Sequence, residues 1–105
     1  MKTLDPLLRQ RLEALKSRYL SEGFVLVGVF GSVARGDDTP DSDIDLLYQV
    51  VEPFFQKHGG FDAFVRLEEI KHELTAALRR EVDLAPCNNN NRILREEIER
   101  DLIHV

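Results

Sequence analysis

Apolar residues recur every three or four positions in three stretches of the chain, a spacing that places them on one side of a helix. The first stretch begins at Asp5 and Pro6, which are typical of a helix N-terminus, and stops at Gly23. The other two cover residues 61–80 and 91–103, and residues 88–91 before the last one are expected to form a loop or a helix cap. We therefore predict three amphipathic helices, with the apolar positions Leu4, Leu8, Leu12, Leu15 and Tyr19; Phe64, Leu67, Ile70, Leu74 and Leu78; and Leu94, Ile98 and Leu102.

Three shorter segments between these helices have the character of strands. Phe24–Phe30 is almost continuously apolar, as expected for a central strand covered on both faces. Residues 43–51 alternate between apolar and polar side chains, and residues 81–86 repeat this alternation over a shorter length. These elements predict an α/β (α+β) fold with a small antiparallel or mixed sheet of three or more strands. We expect the helices to pack on one side of the sheet and the other face to stay open.

Gly31 and Ser32 interrupt the first strand. Ser32 is suited to cap a short helix, and Gly36 is suited to end it. Residues 37–42 contain three aspartates, a threonine and a proline, a composition typical of a turn. The chain is therefore expected to pass from a buried strand through a short helix and a turn into the second strand.

Composition limits the classes of protein to which this fold can belong. A chain of 105 residues with 43% hydrophobic content predicts one domain covering residues 1–105. The net charge of -5 argues against a protein that holds long nucleic acid through its phosphates. Cys87 is the single cysteine, which excludes an intramolecular disulfide and a cysteine metal cluster. Since no stretch has the apolar character of a secretory signal or a membrane span, we expect a soluble, cytoplasmic protein.

The second strand carries two carboxylates on one face, at Asp43 and Asp45. Residues two apart on a strand point the same way and lie about 6 to 7 Å apart. Such a pair can hold two hard cations, and two cations about 3.5 to 4 Å apart suit displacement at phosphorus. The alternative without catalytic function is that Asp43 and Asp45 lie on the water-exposed polar face of an edge strand. Ser32 likewise has a plainer interpretation as an ordinary helix cap.

A Gly-Ser pair, ten intervening residues and an Asp-x-Asp pair resemble the signature of the DNA polymerase β-like nucleotidyltransferase superfamily, above all its stand-alone minimal nucleotidyltransferases of the MntA type. The resemblance is close over residues 24–47. From there to residue 86 it is limited to the order of the predicted helices and strands. The residues that carry it are Gly31-Ser32-Val33-Ala34-Arg35-Gly36 and Ser42-Asp43-Ile44-Asp45-Leu46-Leu47. The superfamily has a third catalytic carboxylate on a later strand, which corresponds here to Asp83 in Glu81-Val82-Asp83-Leu84. The plainer alternative for Asp83 is a polar residue at a strand end.

This resemblance implies a nucleotide site with ATP or another nucleoside triphosphate as the substrate. The residues implied to hold two Mg²⁺ ions are Asp43, Asp45 and Asp83. The residues implied to meet the phosphates are Gly31 and Ser32. Asp83 would also help to ready the acceptor hydroxyl. For Arg35 two roles remain open, because it can neutralise phosphate charge or pair with a nearby aspartate, either Asp37 or Asp43.

The resemblance also implies a partner protein. In the MntA-like group the usual companion is a small all-helical protein of the HEPN type, and the two act as antitoxin and toxin. The antitoxin adenylylates the toxin, so we expect AMP transfer from ATP to a protein hydroxyl and a hetero-oligomer of the two proteins. Two alternatives are a catalytically idle antitoxin that only binds its toxin, and an aminoglycoside-type enzyme that modifies a small molecule.

Overall fold

The computed structural model describes residues 4–105, which form five helices and four strands. The helices are α1 (Pro6–Leu20), α2 (Gly31–Arg35), α3 (Glu52–Lys57), α4 (Phe61–Leu78) and α5 (Arg92–Asp101). The strands are β1 (Phe24–Phe30), β2 (Ile44–Val50), β3 (Val82–Pro86) and β4 (Ile103–His104). Across residues 4–105, none of the helices combines the length and apolar composition needed to span a bilayer.

The four strands form one mixed sheet in the order β3-β2-β1-β4. Strand β1 pairs antiparallel with both β2 and β4, whereas β2 pairs parallel with β3. The chain passes from β2 to β3 through α3 and α4, because a parallel pair needs a long connection. The predicted mixed sheet of three or more strands, and with it the α/β fold class, is confirmed.

The long helices α1 and α4 cover one face of this sheet and form the main core with it. Their apolar stripes are those predicted from the helical spacing, except that Phe64 is exposed. The most deeply buried residues of this core are Leu12, Phe54, Ile70 and Leu74 from the helices and Phe24, Leu26, Val29, Ile44, Leu46 and Val82 from the strands. Their burial supplies much of the hydrophobic stabilisation of the fold.

Helix α5 covers part of the opposite face, so the expectation that all helices pack on one side is wrong for the last helix. The apolar residues that meet there are Leu94, Ile98 and Leu102 from α5 and Phe30, Leu47 and Ala85 from the sheet. The reason lies in β1, where a bulge between Leu26 and Gly28 changes the alternation of side chains. Val27 and Phe30 therefore both face this second side, and the apolar surface they create needs a cover.

Side-chain caps mark the starts of α1 and α5, where the sequence predicts them. Asp5 Oδ2 accepts a hydrogen bond from Leu8 N at 3.1 Å, with a proline in the first turn. Asn91 Oδ1 accepts one from Leu94 N at 3.0 Å. Local sequence alone therefore determines where these two helices begin.

Three element boundaries differ from the predictions. Helix α3 was not predicted, because its six residues are too few to show a helical period. Helix α4 ends at Leu78 instead of residue 80, since Arg79 adopts a left-handed conformation with φ of 57°. The last helix ends at Asp101, and Ile103–His104 pairs with β1 as a strand instead of extending the helix.

Gly28 lies where β1 meets β4, and a side chain at this position has no room. A Cβ atom on Gly28 would overlap the Ile103 carbonyl oxygen and lie 2.8 Å from Leu102 Cδ1. Because a backbone carbonyl cannot turn aside, Gly28→Ala is expected to lower the free energy of unfolding by about 2 to 3 kcal/mol. Gly59→Ala is the control, since its Cβ would meet no described atom within 4 Å. Equal stability of the two variants in denaturant unfolding would contradict the close approach of β4.

Candidate active site

Asp45 and Asp83 face each other across two adjacent strands. They are register partners in the parallel β2–β3 pair, in which neighbouring strands lie about 4.8 Å apart. Asp43 comes directly before β2, two residues from Asp45, and its carboxyl group is close enough to Asp83 to raise the pKa of Asp83. The three carboxylates singled out in the sequence therefore lie together at one end of the sheet.

Gly31 lies against the Asp45 carboxylate. It follows Phe30, which is the antiparallel partner of Asp45 in β1, and its φ of 77° is left-handed. A Cβ atom on Gly31 would overlap Asp45 Oδ2 and lie 3.1 Å from Asp45 Cγ. Glycine is required here both by the backbone conformation and by the close approach. The spacing between the Gly-Ser and Asp-x-Asp pairs thus corresponds to a direct contact in the folded chain.

Ser32 lies within the first turn of α2 and does not cap it. The helix begins at Gly31, its N-cap is Phe30, and the cap makes no side-chain hydrogen bond. The prediction that Ser32 caps this helix is therefore wrong, because β1 leads into α2 without an intervening residue. The first backbone N–H groups of α2 point out of the helix beside Asp45, where they can meet an anion. Gly36 ends α2 with a φ of 82°, as predicted.

The carboxylates of this site repel one another. The pKa of Asp45 is raised to about 6, first by burial and then by the negative charges around it. Those charges are the carboxylates of Asp83, Glu97 and Asp43. The pKa of Asp83 is also raised, by partial desolvation and by the neighbouring Asp43 carboxyl group. A cation between these side chains would relieve the repulsion.

The donor atoms suit a hard divalent cation such as Mg²⁺, which prefers oxygen ligands. Within residues 4–105, no three His, Cys, Asp or Glu side chains converge into a preassembled metal cluster. Asp43 and Asp83 are exposed, so their carboxylates have room to move toward an ion that arrives with a nucleotide. Charge and chemistry therefore fit a metal site that closes around its ion.

Helix α5 adds a fourth carboxylate, Glu97, which the sequence analysis missed. Its charge contributes to the raised pKa of Asp45. Glu97 Oε1 would lie 3.4 Å from a Cβ on Gly31, and it lies 3.9 Å from Arg35 Nη1. The sequence contains one indication that Glu97 lies near a cationic group. Glu97 and Asp101 carry like charges four residues apart on a helix, an arrangement that is unfavourable unless a cation lies between them.

Arg35 provides that cation. Its Nη1 donates to Asp101 Oδ2 at 2.7 Å, and its Nε donates to Asp37 Oδ2 at 3.2 Å. The Asp101 side chain is only 2% exposed, and hydrogen bonds from Arg100 and Arg35 lower its pKa to about 2. Of the two roles left open for Arg35, the structure shows pairing. Asp37 was one of the expected partners, whereas Asp101 lies 66 residues away and ties α2 to α5.

A mixed sheet with an aspartate pair beside the glycine that opens a short helix defines the class of a nucleotidyltransferase. Residues 8–104 match the family model described as the nucleotidyltransferase domain. Two proteins of Methanocaldococcus jannaschii, each named "putative protein adenylyltransferase", are 33% and 32% identical to this chain over 109 residues. Each alignment covers 100% of this chain and 100% of the relative.

Solved structures share the fold. One described as a "putative minimal nucleotidyltransferase" superposes with a TM-score of 0.71 at 35% identity, covering 94% of this chain and 93% of that one. A toxin–antitoxin structure with AMP-PNP gives a TM-score of 0.66 at 21% identity, covering 90% and 69%. The toxin–antitoxin pair MntA–HepT gives 0.62 at 19% identity, covering 95% and 70%. At these lower identities the likeness is one of fold alone.

The chain belongs to the nucleotidyltransferase family, and within it to the minimal nucleotidyltransferases of the DNA polymerase β-like superfamily. The family resemblance seen in the sequence is therefore confirmed, and the protein is a nucleotidyltransferase enzyme. Enzymes of this family generally use divalent metal ions, which agrees with the oxygen ligands and the excess negative charge of the site.

Replacing Asp45 by asparagine is expected to stabilise the metal-free protein. The pKa of Asp45 is about 6 in the folded chain against 3.8 for the free side chain, so the folded state holds this proton more tightly. Through this group, the free energy of unfolding therefore falls as the pH rises from about 4 to about 6, and the full cost persists at pH 7. With solvent screening, Asp45→Asn should gain about 1 to 2 kcal/mol at pH 7 and little at pH 4.

Asp41→Asn is the matched control for this measurement, because it removes one charge from the exposed turn before β2. Denaturant unfolding with a chelator present, at both pH values, compares the two variants with the wild type. An equal gain from Asp41→Asn would mean that the lower net charge, and not the carboxylate cluster, explains the effect.

Removing the Arg35 side chain is expected to loosen α5. Arg35→Met leaves the buried Asp101 with fewer cationic hydrogen bonds, which should lower the thermal midpoint clearly more than the control substitution does. Arg92→Met is the control, since Arg92 pairs with Glu96 at 3.1 Å on the solvent-exposed side of the same helix. That exposed pair should contribute less than about 0.5 kcal/mol. If thermal unfolding shows an equally small loss of stability for Arg35→Met and Arg92→Met, a stabilising Arg35–Asp101 contact is contradicted.

Proposed function

We propose that this chain transfers AMP from ATP to a hydroxyl group of a protein acceptor. The observation that carries the proposal is the meeting of three carboxylates with the start of α2, where Gly31 contacts Asp45. Oxygen ligands for cations and free N–H donors for phosphates thus lie side by side, as a nucleoside triphosphate requires. The adenylyltransferase names of the relatives and the AMP-PNP in a structural neighbour support ATP as the substrate.

In this proposal the aspartates hold two Mg²⁺ ions and the start of α2 holds the phosphates. Asp43 and Asp45 would hold both ions, and Asp83 would hold one of them. When bound, the ions neutralise phosphate charge and lower the pKa of the acceptor hydroxyl. Gly31 and Ser32 bind the leaving pyrophosphate through backbone N–H groups and the Ser32 hydroxyl.

The chemical step is an in-line displacement at the α-phosphorus. The acceptor oxygen forms a bond to this phosphorus, and the bond from the phosphorus to the bridging oxygen breaks with its electron pair on the pyrophosphate. We assign Asp83 as the carboxylate that receives the hydroxyl proton.

The acceptor in this proposal is a helical protein of the HEPN type, and the two chains form a hetero-oligomer of antitoxin and toxin. Asp43 and Asp83 are exposed, so an acceptor as large as a protein can reach the site. The chain also presents large exposed apolar side chains that a partner would cover, among them Phe55, Phe61, Phe64 and Ile93. The fold likeness to two toxin–antitoxin structures supports this class of partner.

The test combines this chain, the helical protein encoded beside it and Mg-ATP, and then weighs the helical protein by mass spectrometry. We expect the added mass of AMP on a tyrosine, serine or threonine of that protein. Asp43→Asn should reduce transfer by at least about 100-fold, because it removes a ligand of the cations. Asp41→Asn, at the exposed tip of the same turn, should transfer at nearly the wild-type rate.

Each departure from this result points to a different alternative. An unmodified toxin that the wild type and Asp43→Asn neutralise equally would favour an antitoxin that acts by binding alone. Consumption of ATP without added mass on the helical protein would favour a small-molecule acceptor of the aminoglycoside type. Full transfer by Asp43→Asn would contradict the assignment of the metal ligands.

A further inference from the structure

Arg80 binds the turn that leads into Asp43. Its Nε and Nη2 donate to the Ser42 carbonyl oxygen at 3.0 and 2.6 Å, and Nη2 also donates to the Thr39 carbonyl oxygen at 3.1 Å. Its Nη1 donates to Asp38 Oδ2 at 3.1 Å. A single guanidinium group therefore holds three positions of one short turn. Two of the three acceptors are backbone carbonyls, so the contact controls the path of the chain.

These contacts lie on both sides of Asp43. The Ser42 carbonyl belongs to the peptide group that joins Ser42 to Asp43, so Arg80 holds the orientation of that peptide plane. On the other side, Ile44 N donates to the Glu81 carbonyl oxygen at 2.9 Å. The two neighbouring residues 80 and 81 thus hold the chain immediately before and immediately after the aspartate.

The same short segment leads into β3 and Asp83 two residues later. Its position therefore links Asp83 directly to the turn that carries Asp43. Arg79, just before it, has a φ of 57° and is the only non-glycine residue with a positive φ in residues 4–105. An arginine in this conformation is unfavourable, and such strain persists where surrounding contacts hold it. The four hydrogen bonds of Arg80 are contacts of that kind.

We propose that Arg80 is a positioning residue that sets Asp43 relative to Asp83 and thereby determines how tightly the aspartates bind a divalent cation. The inference rests on the proposed function, because it takes the aspartates as cation ligands. It assigns Arg80 no contact with substrate. The guanidinium acts through backbone carbonyls, which a lysine cannot hold in the same way because its ammonium group lacks the planar fork of donors.

Arg66 is a suitable control, because it is an equally connected arginine far from this turn. Its side chain is 19% exposed against 23% for Arg80. Arg66 Nη2 donates to Glu22 Oε1 and Arg66 Nη1 to Glu73 Oε2, both at 2.9 Å. Arg66→Met should therefore disturb the packing of α1 on α4 while leaving the aspartates in place.

The experiment measures Mn²⁺ binding to the full chain by electron paramagnetic resonance, with and without a non-hydrolysable ATP analogue. Thermal unfolding is followed in parallel. Arg80→Met is expected to weaken Mn²⁺ binding by about tenfold or more, and Arg80→Lys by less, in line with the loss of a group that orients a ligand. Arg66→Met should lower the thermal midpoint without changing Mn²⁺ affinity by more than about twofold.

The possible failures separate the two proposals. If the wild type binds no Mn²⁺ even with the ATP analogue, the proposed function is contradicted. The proposed role of Arg80, which depends on that function, is then contradicted as well. If the wild type binds Mn²⁺ and folded Arg80→Met binds it equally well, the inference about Arg80 alone is overturned. Equal weakening by Arg66→Met would also overturn it, because the effect would then follow general loss of stability.

Discussion

Repulsion among carboxylates is the constraint on which the rest of this structure depends. The pairing of β2 with β3 sets Asp45 opposite Asp83, and the turn before β2 brings Asp43 to the same place. Folding thus gathers negative charges in a chain whose net charge is already -5. The arrangement costs free energy until a cation arrives. Together with burial, the repulsion raises the pKa of Asp45. In the proposed function, a divalent cation bound by these carboxylates removes that cost.

The nearby arginines support the scaffold of the site and offset its negative charge only in part. Arg35 directs its closest contacts to Asp37 and to the buried Asp101, which fastens α5 to α2. Arg80 directs its hydrogen bonds to the turn before β2. Both side chains therefore hold the backbone around the aspartates while leaving the carboxylates free for cations. A direct arginine partner on an aspartate would compete with the metal ions that the chemistry requires.

Features that depend on neighbouring residues could be predicted from the sequence. The caps at Asp5 and Asn91, and the helical spacing of leucines, predicted where α1, α4 and α5 lie along the chain. The central residues of the site could also be predicted from the sequence, because Gly31 and Asp45 belong to one continuous strand–helix–turn–strand segment. Predicting Asp83 also required the order of helices and strands along the chain. Its position opposite Asp45 is shown only by the register of the β2–β3 pair.

The sequence by itself determined the three long helices, the first three strands and the motif that places this chain in its family. The tertiary structure alone decided which face α5 covers, which carboxylate α5 brings beside Asp45, and what Arg35 and Arg80 bind. The bonds of Arg80 to Ser42 span 38 positions, and that of Arg35 to Asp101 spans 66. Periodicity and caps act over a few residues, so they can be read locally. Partners this far apart are chosen by strand register, by the bulge in β1 and by the apolar surface that remains to be covered, which exist only in the folded chain.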